Sequence, residues 1–193
     1  IDIKDLGEIS RFVGWNVTRD ENGFYIDVDH YIDSVIDRFN LSDANPRKVP
    51  VTSFNLDLDG EHDQTLPVRE AIGCLLYIAN KGRPDISASV HYLARQAHKP
   101  TAALFAECKN VLRYLKGTMG THIHLSSENT QVNQLAVYTD ASFDVVSITG
   151  IMAYFNDSII TWHSRRQQQA STSSAEAEVY ALTDGLRELT WLH

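Results

Sequence analysis

Between residues 67 and 117 the chain reads as three helices in succession, with strand-like runs on either side of the block. That order constrains the fold more than any other feature. The first helix, about 67–80, passes through Ala71-Ile-Gly-Cys-Leu-Leu-Tyr-Ile78. The second opens at Pro84, whose missing N–H has no partner to lose in a first turn, and runs to about 97. The third begins after Thr101 and stops near Gly117, a C-terminal cap. It gathers Phe105, Cys108, Leu112 and Leu115 on one face, and Lys109, Arg113 and Lys116 form a stripe at spacings of four and three. Helices grouped apart from strands imply an α+β / α/β class.

Ahead of the helices, Arg11-Phe-Val-Gly-Trp-Asn-Val-Thr18 and Gly23-Phe-Tyr-Ile-Asp-Val28 read as a hairpin turning at Glu21-Asn22-Gly23. Asp29 is placed to cap a helix over about 30–40 with Tyr31, Ile32, Val35, Ile36 and Phe39 on one side. Residues 43–66, with Pro46, Pro50 and Gly60, read as a linker or an extended crossing segment. Residues 121–134 are a polar connector. Then come strands at 135–140, 148–155 and 158–163, a polar loop at 164–172, and a helix at 173–192. Asn156-Asp157 suits the tight turn between the last two strands.

The formal charge is −8, which argues against a simple nucleic-acid binder. The distribution says more: residues 1–70 carry net −8, residues 71–134 net +4 and residues 135–193 net −4. The basic stripe lies in that positive middle, so it is either a solvated helix face or a surface for phosphates. Cys74 and Cys108 sit in apolar surroundings with no ligand spacing and read as buried free thiols, which suits an intracellular protein. No apolar run is long enough to span a bilayer. Ile1-Asp-Ile-Lys-Asp-Leu6 has no signal-peptide pattern, and a first residue other than Met suggests a piece of a longer chain.

Two acids invite a chemical reading. Asp140 follows the apolar run of Leu135-Ala-Val-Tyr-Thr-Asp-Ala-Ser142, where it either bonds its own backbone as a turn former or serves a site. In Ser173-Ser-Ala-Glu-Ala-Glu-Val-Tyr-Ala-Leu182, Ser173 with Glu176 matches a capping box. Glu178 lies beyond the first turn, near the helix side expected to be buried, where an acid needs a partner and a divalent metal is one candidate.

In their order, these segments resemble the Pol polyprotein of copia-type retrotransposons over essentially the whole chain. The words that carry the resemblance are Asp5-Leu-Gly-Glu8, Phe12-Val-Gly14, Tyr31-Ile32, Ala71-Ile-Gly-Cys-Leu-Leu-Tyr77 and Arg83-Pro-Asp-Ile86. They continue with Val111-Leu-Arg-Tyr-Leu-Lys-Gly-Thr118, Tyr138-Thr-Asp-Ala141, Ile148-Thr-Gly150, Thr161-Trp162, Ser173 to Leu182, and Trp191-Leu192.

The resemblance implies three parts. Residues 1–66 would be the end of reverse transcriptase, with a primer-grip-like hairpin and the start of the thumb. Residues 67–122 would be a helical thumb and connection beside the template–primer duplex, with Lys109, Arg113 and Lys116 toward its backbone. Residues 135–193 would be the first part of a ribonuclease H-like mixed sheet with its helix. Asp140 and Glu178 would then be catalytic and bind Mg²⁺ (or Mn²⁺) in hydrolysing the RNA of an RNA–DNA hybrid. Glu178 matches the family's helix acid, and Glu176 does not. The family's Asp-Ala-Asp is here Asp140-Ala-Ser142, and the stretch before Ile148 is short. The polymerase aspartates are expected upstream of Ile1 and the remaining ribonuclease acids after His193, since Asp144 and Asp184 are poor substitutes. Expected partners are the hybrid or template–primer duplex and the rest of the polyprotein, with no membrane, in a cytoplasmic virus-like particle or the nucleus. The alternative is a non-catalytic, decayed or repurposed remnant that binds nucleic acid or serves a structural role.

Overall fold

The computed structural model describes residues 7–127, 133–143 and 146–192. Asp5, Leu6, Asp144 and His193, all named above, lie outside the described residues. The fold is α+β, with two antiparallel sheets and five α-helices among those residues.

The first sheet has the order β1 (Arg11–Phe12), β2 (Trp15–Asp20), β3 (Gly23–Asp27), β4 (Ile123–Ser126). Two expectations are corrected here. The run from Arg11 to Thr18 is not one strand. Val13 (φ 48°) and Gly14 (φ 86°) turn it back, so that Phe12 pairs with Trp15. The connector at 121–134 contains β4, which pairs with β3 and closes the sheet. Its apolar Ile123 and Leu125 alternate with His122, His124 and Ser126, and Ile26 stands in one cross-strand row with Val17 and Ile123, both buried.

The helices are α1 (Asp29–Arg38), α2 (Val68–Lys81), α3 (Ser87–Ala94) and α4 (Ala102–Gly117), with a 3₁₀ turn at Pro84–Ile86 leading into α3. Ile32, Val35, Leu75, Ile78, Leu93, Leu104, Leu112 and Leu115 form one continuous core. Thr101 caps α4, its Oγ1 accepting from Leu104 N at 3.1 Å. Asp29 does not cap α1. It is the first helical residue, the cap position is Val28, and the Asp29 carboxylate accepts from Gly120 N at 2.7 Å. Residues 43–66 cross the helices as extended chain. Val51 is buried, Leu56 N donates to Tyr92 Oη and Thr101 Oγ1 donates to Leu58 O, both at 2.8 Å.

The second sheet is β5 (Leu135–Ser142), β6 (Ile148–Phe155), β7 (Ser158–Arg166), followed by α5 (Ser174–Leu192). Asn156 and Asp157, at φ 46° and 62°, make the expected turn. All three strands pair antiparallel, so the expected mixed sheet is not seen among the described residues. Two indole N–H groups bolt the sheets to the end of α2. Trp15 from the first sheet donates to Lys81 O at 2.6 Å, and Trp162 from the second to Ala79 O at 2.8 Å. Helix-terminal carbonyls lack intrahelical partners, and these two are satisfied from opposite sheets.

Candidate functional site

α5 packs on the second sheet through Ala177, Ala181 and Gly185, one buried row at helical spacing. A Cβ on Gly185 would overlap Thr139 Cγ2 and touch Val137 Cγ1, so this glycine sets how closely helix and strand approach. Val137 and Thr139 therefore face α5. Strand alternation sends Asp140, with Tyr138, to the other face. The strand also runs further than expected. Asp140 pairs with Gly150 inside β5, two residues before its end, and is not a strand-end turn former. Its side chain is exposed and pairs with no described residue.

Glu178 is not on the buried side of its helix. It is exposed, about 100° around the axis from Ala177. Asp184 occupies the opposite flank, paired with Arg165 of β7 at 3.3 Å, so Glu178 lies on the β5 flank. It too pairs with no described residue. The structure thus gives two carboxylates at the same end of β5 and α5, one on each side of the sheet, neither paired with a described residue. Asp140 lines a cleft whose described lining does not include Glu178, and β5 is one of the two edge strands of its sheet among the described residues. Among those residues no group of three or more His, Cys, Asp or Glu is arranged to hold a metal. Asp184 is committed to Arg165 and to Arg187, at 3.1 Å.

Glu176 has the local role expected of it. Its N–H donates to Ser173 Oγ at 3.1 Å, and its carboxylate accepts from Thr172 N at 2.6 Å and from the Thr172 and Tyr180 hydroxyls. The hydrogen bonds from Thr172, then Tyr180, hold its carboxyl below the usual range.

The stripe on α4 is not an open basic face. Arg113 Nε donates to Asn45 O at 2.7 Å, and Arg47 N returns a bond to Arg113 O at 3.1 Å. Lys116 Nζ donates to Ser42 O and, at 3.0 Å, to Ala44 O. Both cations hold down the segment after α1. Lys109, half-buried like the other two, grips no described carbonyl, and its ammonium lies 4.8 Å from the Phe105 ring centre.

The dominant charged group was not anticipated. Arg83 is 1% exposed and forks onto Asp85, at 2.9 and 2.7 Å, while also donating to Thr118 O and Oγ1. Tyr114 Oη donates to the same carboxylate at 2.9 Å. Burial pushes the Asp85 carboxyl up, but the Arg83 guanidinium and the Tyr114 bond outweigh it and leave it lowered. The adjacency Arg83-Pro-Asp85 was the available signal, since a guanidinium and a carboxylate two residues apart can pair across a turn.

Comparison with known proteins gives the context. The reverse transcriptase (RNA-dependent DNA polymerase) family matches residues 1–53. An uncharacterized mitochondrial protein of Arabidopsis thaliana is 31% identical over 194 residues, covering 98% of this chain and 80% of that protein. The retrovirus-related Pol polyprotein from transposon TNT 1-94 of Nicotiana tabacum is 30% identical over 208 residues, 99% of this chain and 15% of the polyprotein. That from transposon RE1 of Arabidopsis thaliana is 33% identical over 198 residues, 98% of this chain and 13% of the polyprotein. No solved structure matches. This chain therefore spans a small part of the length of its Pol relatives and most of the mitochondrial one. With the ordered motifs above, these matches place it: the chain belongs to the copia-type retrotransposon Pol family and is related to reverse transcriptase.

Proposed function

We propose that residues 135–193 are the opening part of a ribonuclease H-like unit, in which Asp140 and Glu178 hold Mg²⁺ (or Mn²⁺) for hydrolysis of the RNA strand of an RNA–DNA hybrid. Residues 1–66 then correspond to the end of reverse transcriptase and residues 67–122 to a thumb and connection. The observation that carries this reading is a three-stranded antiparallel sheet followed by a helix, with an acid on the first strand and another at the corresponding end of the helix, neither paired with a described residue. Carboxylate oxygens are the hard donors these ions prefer. An ion touching both must lie beside the edge of β5. A bound divalent ion would activate a water and stabilise the leaving oxygen of a phosphodiester. The contribution of the chain is to fix two negative charges there, on a strand pinned by Gly185 and a helix start held by Glu176 and Thr172.

Two carboxylates bind an ion weakly, so this chain by itself is expected to show little hydrolysis. Mn²⁺ titration followed by the electron paramagnetic resonance of the free ion tests the pair. Asp140→Asn and Glu178→Gln should each weaken binding by about tenfold, ~1.4 kcal/mol. Variants that bind Mn²⁺ as the parent does would dismiss the pair. The outcome would then favour a non-catalytic, nucleic-acid-binding or structural role, to which the opposite-face placement of the two acids already lends weight. For the duplex, the proposed contact on α4 is carried by Lys109, with Arg113 and Lys116 ordering the neighbouring segment.

A further inference from the structure

At the end of the second sheet beside the β6–β7 turn, the face turned away from α5 carries two tyrosines. Ala136 pairs with Tyr154 and Tyr138 with Met152, so the rings stand on one diagonal and the two smaller side chains on the other. The rings meet at 90° with their centres 5.6 Å apart. Ala136 is too short to fill the corner they make, and a hollow of about 320 Å³ is left there. Tyr138 is 65% exposed and Met152 37%, so no described element covers it. Among the residues that line the hollow there is one acid, Asp157, and no base. Asn156 and Asp157 both have positive φ, and in such a two-residue turn the second place is easiest for glycine. The turn is already fixed without that acid: Asn156 N donates to Gln134 O, and Gln134 N donates back to Asn156 Oδ1. The Asp157 carboxylate bonds to no described residue, so the hairpin does not account for it.

We propose that this corner binds an alkylated ammonium group, with its methyls against the two rings and Met152 and its charge toward Asp157. That chemistry is shared by a methylated lysine side chain and by a choline-type small molecule. Aromatic faces attract cations, and corners built of such rings are where quaternary ammonium groups are held. A bare lysine ammonium keeps a tight water shell that two rings and one carboxylate do not replace. Methylation removes the N–H donors and gives the cation an apolar coat, which suits Ala136, Met152 and the ring faces. A thioether adapts its shape to such a coat. The site lies in the part of the chain that carries net −4, which favours a cation. Its described lining shares no residue with the Asp140 cleft, so it stands or falls apart from the metal reading.

The test is an amide-resolved NMR titration of the whole chain with tetramethylammonium, with choline, and with dimethylbutanol, the neutral isostere of choline in which carbon replaces nitrogen. The two cations should shift the amides of Ala136, Tyr138 and Tyr154, and the isostere should bind about fivefold more weakly or worse. Tyr138→Leu should weaken the cations by about fivefold, whereas Tyr138→Phe, which keeps the ring face, should bind as the parent does. Asp157→Gly should weaken them by about threefold and leave the thermal midpoint equal or higher, because glycine suits the turn. A peptide carrying trimethyllysine then separates the sources. Tighter binding than choline assigns the corner to a protein partner, and equal binding assigns it to a free small molecule; both support the site. The proposal is overturned if the isostere binds as well as choline, if the unmethylated peptide binds as well as the methylated one, or if these amides do not shift. It is equally overturned if Tyr138→Leu and Asp157→Gly both bind as the parent does.

Discussion

The helical region and the second sheet treat charge in opposite ways. Around α2 and α4, the cations are internal hardware: Arg83 is buried on Asp85 and Thr118, while Arg113 and Lys116 grip carbonyls of residues 42–45. In the second sheet and its helix, Asp140, Glu178 and Arg166 have no described partner. Apolar groups divide the same way. The helices bury theirs in one core, whereas α5 leaves Val179, Leu182, Leu186 and Trp191 exposed. Groups already spent on the fold have little left for a ligand. Unspent groups on a thinly packed unit are where chemistry or binding can be added with small loss of stability.

Arg83→Met should break that contrast most forcefully. It strands the Asp85 carboxylate in a partly buried site, removes two bonds to Thr118, and should cost about 3–5 kcal/mol in a urea titration followed by near-ultraviolet dichroism. Adding Asp85→Asn should recover part of the loss, since no charge is then left alone. A cost under about 1 kcal/mol for the single variant would show the network to be incidental.

A paired truncation sharpens the comparison of cores. Leu75 is fully buried among the helices and Leu186 is 54% exposed on α5. Leu75→Ala should lose about 2–5 kcal/mol, and Leu186→Ala no more than about 0.5 kcal/mol. Equal losses would mean that α5 leans on something it does not touch in this structure.

The same split explains what could be read in the sequence. Helices with apolar residues every three or four positions were legible, as were the Asn156-Asp157 turn and the Ser173–Glu176 cap, because each rests on neighbours close in the chain. β4 was not, because four residues with two polar ones carry a strand only when β3 supplies the partner. The Lys109, Arg113, Lys116 stripe was misleading for a related reason. Its partners lie about seventy residues away and are backbone carbonyls, which have no sequence signature. At the candidate site the two acids were visible, but their faces were not. Extending β5 past Asp140 places it inside the strand, and Gly185 against Thr139 fixes which side it takes.

The smallest expected effect is a pH dependence that His163 adds from the second sheet. His163 of β7 has Nε2 buried without a hydrogen-bond partner. Burial, then the nearby Arg165 charge, lowers its pKa, while Glu188 and Asp184 pull the other way too weakly to reverse it. A histidine lowered on folding takes up its proton first in the unfolded chain. Stability should therefore be complete above the unfolded value of about 6.5 and fall as the pH drops from there through the folded value. His163→Phe keeps a ring in place and removes the titration. Thermal midpoints between pH 7.5 and 5 should then decline less in the variant than in the parent. His91, also lowered by burial and Arg95 but located on α3, should leave its own slope in both proteins. If the two proteins decline in parallel, the buried nitrogen gains a partner in solution, and β7 is better satisfied than its neighbours in the sheet imply.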